Sequence, residues 1–318
     1  MSPSDVVAAR DPGARLSARR VAVGDFRMGP VTHLADERAR LATLTWEHFD
    51  VRRLAPTIGA ELQGIDLTGA VSDAAVAEIR HALHEFKVVF FRDQPLTPQQ
   101  HVVLARRFGE LEIHPFIPPN PEVPELVRFE KTAEVAGYEN AWHHDVTWRE
   151  CPSMGAILHA IKVPDVGGDT LFCDMYAAYE GLDDEVRAHI DELDAVHDYL
   201  QAFGAQVPPD QHDAMRERFP QVVHPVAPRH EVTGRRHLYV NRIFVDHLVT
   251  DDAPGGAALL ELLCRQANYP EYQCRFRWQP HSVAFWDNRA VQHYASSDYW
   301  PEVRVMERAS IVGTRPSR

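Results

Sequence analysis

Residues 282–312 read SVAFWDNRAVQHYASSDYWPEVRVMERASIV, and their reading decides the fold. SVAFWD (282–287) and RVMERASIV (304–312) are short, rich in β-branched and aromatic residues, and bounded by turn chemistry, which is the pattern of strands. In the second segment Arg304 and Arg308 are four positions apart, so on a strand they share one face with Met306 and Ser310. Two guanidinium groups aimed at one interior need anions, because unpaired buried charge is too costly to persist. The interior is therefore expected to bind carboxylate-like ligands. Between the two segments, after the turn DNR, His293 lies in VQHYASSDY.

Short apolar runs of the same kind recur upstream, in KVVFFRD (87–93), GAILHAIKV (155–163), DTLFC (169–173), RHLYVN (236–241) and CRFRW (274–278). FDVRRLAP and IGAELQGIDL add two strand-like segments from Phe49 onward, separated by Pro and Gly. Helices interrupt them. Ser72 can cap a helix whose Ala75, Val76, Ile79, Ala82, Leu83 and Phe86 fall on one face. Thr97-Pro98-Gln99-Gln100 supplies an N-cap, a first-turn proline and a capping-box glutamine for a second helix ending near Gly109. Two more are expected near Asp183 to Val196 and near Gly256 to Gln266. Helices early, spaced strands later and no repeat period predict an α+β fold with a mainly β core, a sheet sandwich or barrel. Residues 1–48 read as a flexible or loosely docked N-terminal extension, and residues 49–318 as one domain.

The chain has 318 residues, 45% hydrophobic and 25% charged, ordinary values for a globular protein. A formal charge of -13 disfavours a phosphate-backbone binder, so nucleic acid is not an expected partner. No stretch approaches the roughly 20 apolar residues that span a bilayer, and no secretory h-region opens the chain. Cys151, Cys173, Cys264 and Cys274 show no CxxC spacing, which fits a reducing cytoplasm.

The 18 histidines are the one anomaly in the composition. Non-haem iron enzymes hold the metal with two histidines and a carboxylate on one face. On a strand, His143 and Asp145 of AWHHDVTW would point the same way while His144 points away. His189-x-Asp191 has the same spacing but lies in a helical pattern, where a two-residue step sends side chains apart. His293 would supply the second imidazole. Each residue has a blander reading alone: His143 as a hydrogen-bonded histidine, Asp145 as a turn residue, His293 in a loop, the arginines on an exposed edge, and Trp142, Trp148, Phe172 and Trp286 as core.

Taken together, IGAELQGIDL, KVVFFRDQPLTPQQ, RRFGELEIHP, WHHDVTW, GGDTLF, RHEVTGRRHLYVN, FRWQPHSVAFWDNRAVQHYASSDY and RVMERASIVG resemble the taurine dioxygenase (TauD/TfdA) family of iron(II)- and 2-oxoglutarate-dependent dioxygenases. The resemblance implies a distorted double-stranded β-helix, or jelly roll, with flanking helices. It implies that His143, Asp145 and His293 hold Fe(II), that Thr170 and Arg304 bind the distal carboxylate of 2-oxoglutarate, and that O2 is the second cosubstrate. His114 and Arg308 would bind an anionic small-molecule substrate, with Phe244 lining the pocket. Ile117 and Glu139 stand where the taurine enzyme has a tyrosine and an asparagine, which argues against taurine itself. Relatives form dimers or tetramers, so a homo-oligomer is expected. A zinc-dependent hydrolase or isomerase on a similar barrel would use the same three ligands but gives Arg304 and Thr170 no role. A barrel that binds without catalysis is the remaining alternative.

Overall fold

The computed structural model describes residues 21–23, 26–115, 117, 119–137 and 139–318, with side chains from residue 29 onward. A seven-stranded sheet runs in the order Asp50–Arg53, Ala60–Gln63, Val88–Phe91, Val283–Asp287, Gly155–Lys162, Arg304–Ile311, Leu126–Lys131. Neighbours are antiparallel except Ala60–Gln63 and Val88–Phe91, which are parallel and joined through the helix Asp73–Phe86. A three-stranded antiparallel sheet, Gln273–Phe276, Thr170–Asp174, Val291–Ala295, packs against it. These two sheets form the jelly roll that the sequence leads one to expect. A smaller sheet, Val222–Pro225, Asp194–His197, Val245–Leu248, lies beside them.

Period-two alternation explains why the central strands are apolar throughout. In Val88–Phe91, Val88 and Phe90 enter the core between the sheets, whereas Val89 and Phe91 face the layer of helices. Val283–Asp287 behaves likewise, with Ala284 and Trp286 between the sheets and Val283 and Phe285 towards the helices. In Arg304–Ile311 the outward Ala309 and Ile311 bury against the helix layer. Met306 lies between the sheets, so Arg304 and Arg308 share the inner face with it.

The helix Asp73–Phe86 starts where Ser72 accepts from the Ala75 N–H at 3.1 Å. Its Ala75, Val76, Ile79, Ala82, Leu83 and Phe86 are the buried residues. Each large side chain among them contributes about 1.5–3 kcal/mol of apolar burial. Pro98–Arg106 has the expected capping box between Thr97 and Gln100. Within 1–48, the helix Leu34–Leu41 buries Leu34 and Leu41, and its Glu37 reaches Arg235 at 2.9 Å and the buried Lys87 at 3.3 Å. Residues 1–20 lie outside the described residues.

Two elements differ from expectation. The helix expected at 183–196 ends at Ile190, and Asp194–His197 is a strand. Val186, Ile190 and Leu193 still reach one apolar cluster, because the turn after the helix returns Leu193 to it. RHLYVN, expected as a strand, is buried but forms only one bridge, Arg236 to Arg229. Its N–H groups are shared between neighbours, Leu238 donating to Met175 O and Tyr239 to Val226 O, so the segment crosses them and joins no ladder.

Several histidines are locked in the interior as neutral rings. His101, His197 and His237 are at most 2% exposed. Burial pushes His101 and His237 down to about 3, and His197 well below 6.5. The unfolded chain takes up these protons first, so the stability that these rings contribute is full above about pH 6.5 and is lost as pH falls below it. Urea unfolding is expected to weaken by about 1 kcal/mol per histidine between pH 6.5 and 5.5. A flat urea midpoint over that interval would contradict neutral burial.

Candidate active site

His143 and His293 approach through the backbone before their rings meet. The His143 N–H donates to His293 O at 3.1 Å, and the His293 N–H donates to His143 O at 2.9 Å, an isolated bridge joining the AWHHD segment to the strand Val291–Ala295. The ring centroids are 4.2 Å apart. His143 Nδ1 lies 2.8 Å from Ala141 O, which fixes the proton on Nδ1 and leaves the Nε2 lone pair available. His143 Nε2 is 3.9 Å from one Asp145 carboxylate oxygen, and His293 Nε2 is 4.0 Å from the other.

Asp145 reaches this point from a turn and not, as expected, along a strand. The turn places Val146 at φ 49°, and Asn288 pins it. The Asn288 side chain accepts from the Asp145 N–H at 2.7 Å and donates to Asp145 O and Ser153 O, both at 3.0 Å. His144 points away as expected, fully buried against Tyr239 with ring centroids 4.7 Å apart. The candidate ligand atoms of His143, Asp145 and His293 all lie within 4.8 Å of one another. Two imidazoles and a carboxylate, gathered on one side with a cavity on the other, fit ferrous iron with positions left open.

Burial works against the charge on Asp145, but the Arg308 guanidinium beside it, helped by His293 and His143, holds the carboxyl well below the usual range. Arg308 Nη1 donates to both carboxylate oxygens, at 2.9 and 3.0 Å. Burial, then His143, pushes His293 down to about 3, so it is a neutral donor at physiological pH.

At the other end of the inner face, Gly167 and Gly168 turn the chain with φ of 85° and 70°, delivering Thr170 into its strand. The indole N–H of Trp278 donates to Thr170 Oγ1 at 2.9 Å. Arg304 is 7% exposed, with its charge over the rings of Trp278 and Tyr299, and its Nε has no hydrogen-bond partner among the described residues. Burial lowers its pKa.

Between these ends lies a cavity of about 330 Å³. All ten candidate site residues line it, including His114, Ile117, Glu139 and Phe244. Trp148, Phe172 and Trp286 are buried as expected of core residues and also line the cavity. Burial, then Arg308, pushes His114 down to about 4, and its Nδ1 accepts from the Ile117 N–H at 3.1 Å. Sequence reasoning missed Lys131, Trp278 and Asn288. Lys131 forms an ion pair with Glu139 at 2.7 Å, which changes the meaning of that carboxylate.

The chain is 32% identical over 275 residues to an alkylsulfatase of Acinetobacter baylyi, covering 84% of this chain and 86% of that protein. It is 33% identical over 277 residues to an alpha-ketoglutarate-dependent sulfate ester dioxygenase of Pseudomonas putida, covering 84% and 91%. The crystal structure of a taurine dioxygenase from Burkholderia xenovorans superposes with a TM-score of 0.74 at 36% identity, over 85% of this chain and 91% of that one. The family model described as Taurine catabolism dioxygenase TauD, TfdA family matches residues 50–310. Because that span takes in the triad and both arginines, the chain belongs to the TauD/TfdA family and is an iron(II)- and 2-oxoglutarate-dependent dioxygenase.

Proposed function

We propose that this enzyme hydroxylates a small organic anion at a carbon next to its head group, with alkyl sulfate esters foremost and sulfonates and carboxylates as the related class. One observation carries the reading. Arg308 satisfies Asp145 through Nη1 alone, and its buried Nε has no partner among the described residues, so the guanidinium retains donors for a second anion.

His143, Asp145 and His293 would hold the iron. When bound, iron with 2-oxoglutarate and O2 supplies insertion of one oxygen atom into a substrate C–H bond, with the cosubstrate leaving as succinate and carbon dioxide. Arg304 offers its planar fork to the distal carboxylate of 2-oxoglutarate. Because Trp278 already donates to Thr170 Oγ1, the Thr170 hydroxyl proton remains free to donate to the same carboxylate. His114 accepts at Nδ1, so its proton sits on Nε2, giving an uncharged donor beside the Arg308 charge. Val146, Trp148, Phe203 and Phe244 give this end an apolar wall suited to an alkyl chain. When the hydroxylated carbon also bears the ester oxygen, the product collapses to an aldehyde and releases sulfate. The alkylsulfatase and the sulfate ester dioxygenase among the relatives support this choice of head group.

The test is succinate release with alkyl sulfates, alkanesulfonates, aryloxyalkanoates and taurine, alongside the visible charge-transfer band of the anaerobic iron and 2-oxoglutarate complex. Alkyl sulfates are expected to stimulate succinate release most. Strongest stimulation by a neutral compound would overturn the anion assignment, and strongest stimulation by taurine would overturn the head-group choice.

A further inference from the structure

Arg304 and Lys131 share one end of the cavity, and two carboxylates lie within electrostatic reach of Arg304 there: Glu139, and Asp169, which Arg275 already neutralises at 2.6 Å. Lys131 ends the strand Leu126–Lys131 and is the Cα partner of Arg304 in the antiparallel ladder. Directly opposed residues project on the same side of a sheet, and like charges so placed destabilise it. Glu139 relieves this, pairing with Lys131 Nζ at 2.7 Å. It also lies within electrostatic reach of Arg304, whose Nε has no partner among the described residues.

We propose that Lys131 is a positioning residue that holds Glu139 away from Arg304 and so keeps the Arg304 guanidinium open for the distal carboxylate of 2-oxoglutarate. The inference rests on the reading of Arg304 as the cosubstrate anchor. A buried guanidinium without an anion attracts any carboxylate that can reach it. Glu139 belongs to the irregular segment after the strand, outside any ladder, and its carbonyl accepts a long 3.4 Å bond from the Ala295 N–H. With Lys131 present, the lysine and glutamate cancel and an incoming carboxylate meets one net positive charge. Without Lys131, Glu139 turns to Arg304, occupies the fork and cancels that charge.

The experiment measures binding of N-oxalylglycine, an inert 2-oxoglutarate mimic, to the Mn(II)-loaded protein by calorimetry, which requires no turnover. Lys131→Met is expected to weaken binding about tenfold or more, in the range of coupled neighbouring charges. Glu139→Gln is expected to bind more tightly than wild type, because Lys131 then adds its own charge beside Arg304. The double variant is expected to recover to within about threefold of wild type. Lys131→Arg should retain binding. In turnover assays the Lys131→Met defect should appear in KM for 2-oxoglutarate and not in KM for the organic anion, a split that general damage to the fold would not produce. A double variant as weak as Lys131→Met, or a Lys131→Met protein that binds normally, would overturn the proposal alone. Wild-type protein that holds Mn(II) but fails to bind N-oxalylglycine would overturn the reading of Arg304 as well.

Discussion

Replacing Arg304 with methionine is expected to stabilise the metal-free protein while weakening 2-oxoglutarate binding by roughly thirty- to several-thousandfold, the equivalent of about 2–5 kcal/mol. The two effects have one cause. The Arg304 guanidinium is almost wholly buried, and its Nε donor is unmet among the described residues. An unmet buried donor costs about 1–3 kcal/mol, which the folded chain bears until a carboxylate arrives. Methionine keeps an unbranched apolar stem in contact with Trp278 and Tyr299 and removes the donor. Urea unfolding of the apo-protein and calorimetry with 2-oxoglutarate measure the two arms. A variant that loses stability and affinity together would show that Arg304 is a structural ion and not a binding one.

Asp145→Ala is expected to have the opposite profile, losing metal and stability at once. Loss of the carboxylate removes a ligand, which should exceed the roughly 10–100-fold loss of metal affinity or activity that follows loss of an outer-shell partner. It also strips Arg308 of the acceptor held at 2.9 Å, leaving a buried charge uncompensated at a cost of about 3 kcal/mol. Asp145→Asn separates the two losses, since its amide oxygen still accepts from Arg308 while the anionic ligand is gone. Iron content should therefore fall in both variants, and urea stability mainly in the alanine variant. Equal stability in both would mean that the Asp145–Arg308 pair contributes little to the fold.

Much of this site was legible because strand periodicity is strict. Arg304 and Arg308 could be placed on one face from spacing alone, and His293 followed from its position after a buried strand. What could not be read depended on pairings across long sequence distances. Asp145 projects correctly because Asn288 braces its turn, a contact spanning 143 residues. Glu139 looked like an added negative charge until Lys131 appeared beside it, for nothing in LVRFEK marks one lysine as a cavity residue. The helix expected over 183–196 overran for a related reason: Leu193 continued the apolar stripe although it reaches the same cluster from a turn. RHLYVN carried strand composition without ladder geometry, since composition reports burial and not which neighbour takes the N–H groups.

The paired main-chain bonds between His143 and His293 have a consequence for which ions the enzyme can use. The bridge sets the spacing of the two histidine backbones, so a metal between the imidazoles adjusts them through side-chain torsions alone. Manganese, cobalt or nickel entering in place of iron would meet the same two imidazoles and carboxylate, a donor set that accommodates each of them. Selection among divalent ions then falls to supply and to the chemistry each can perform, so a tightly held but redox-inert competitor is the natural poison for this centre.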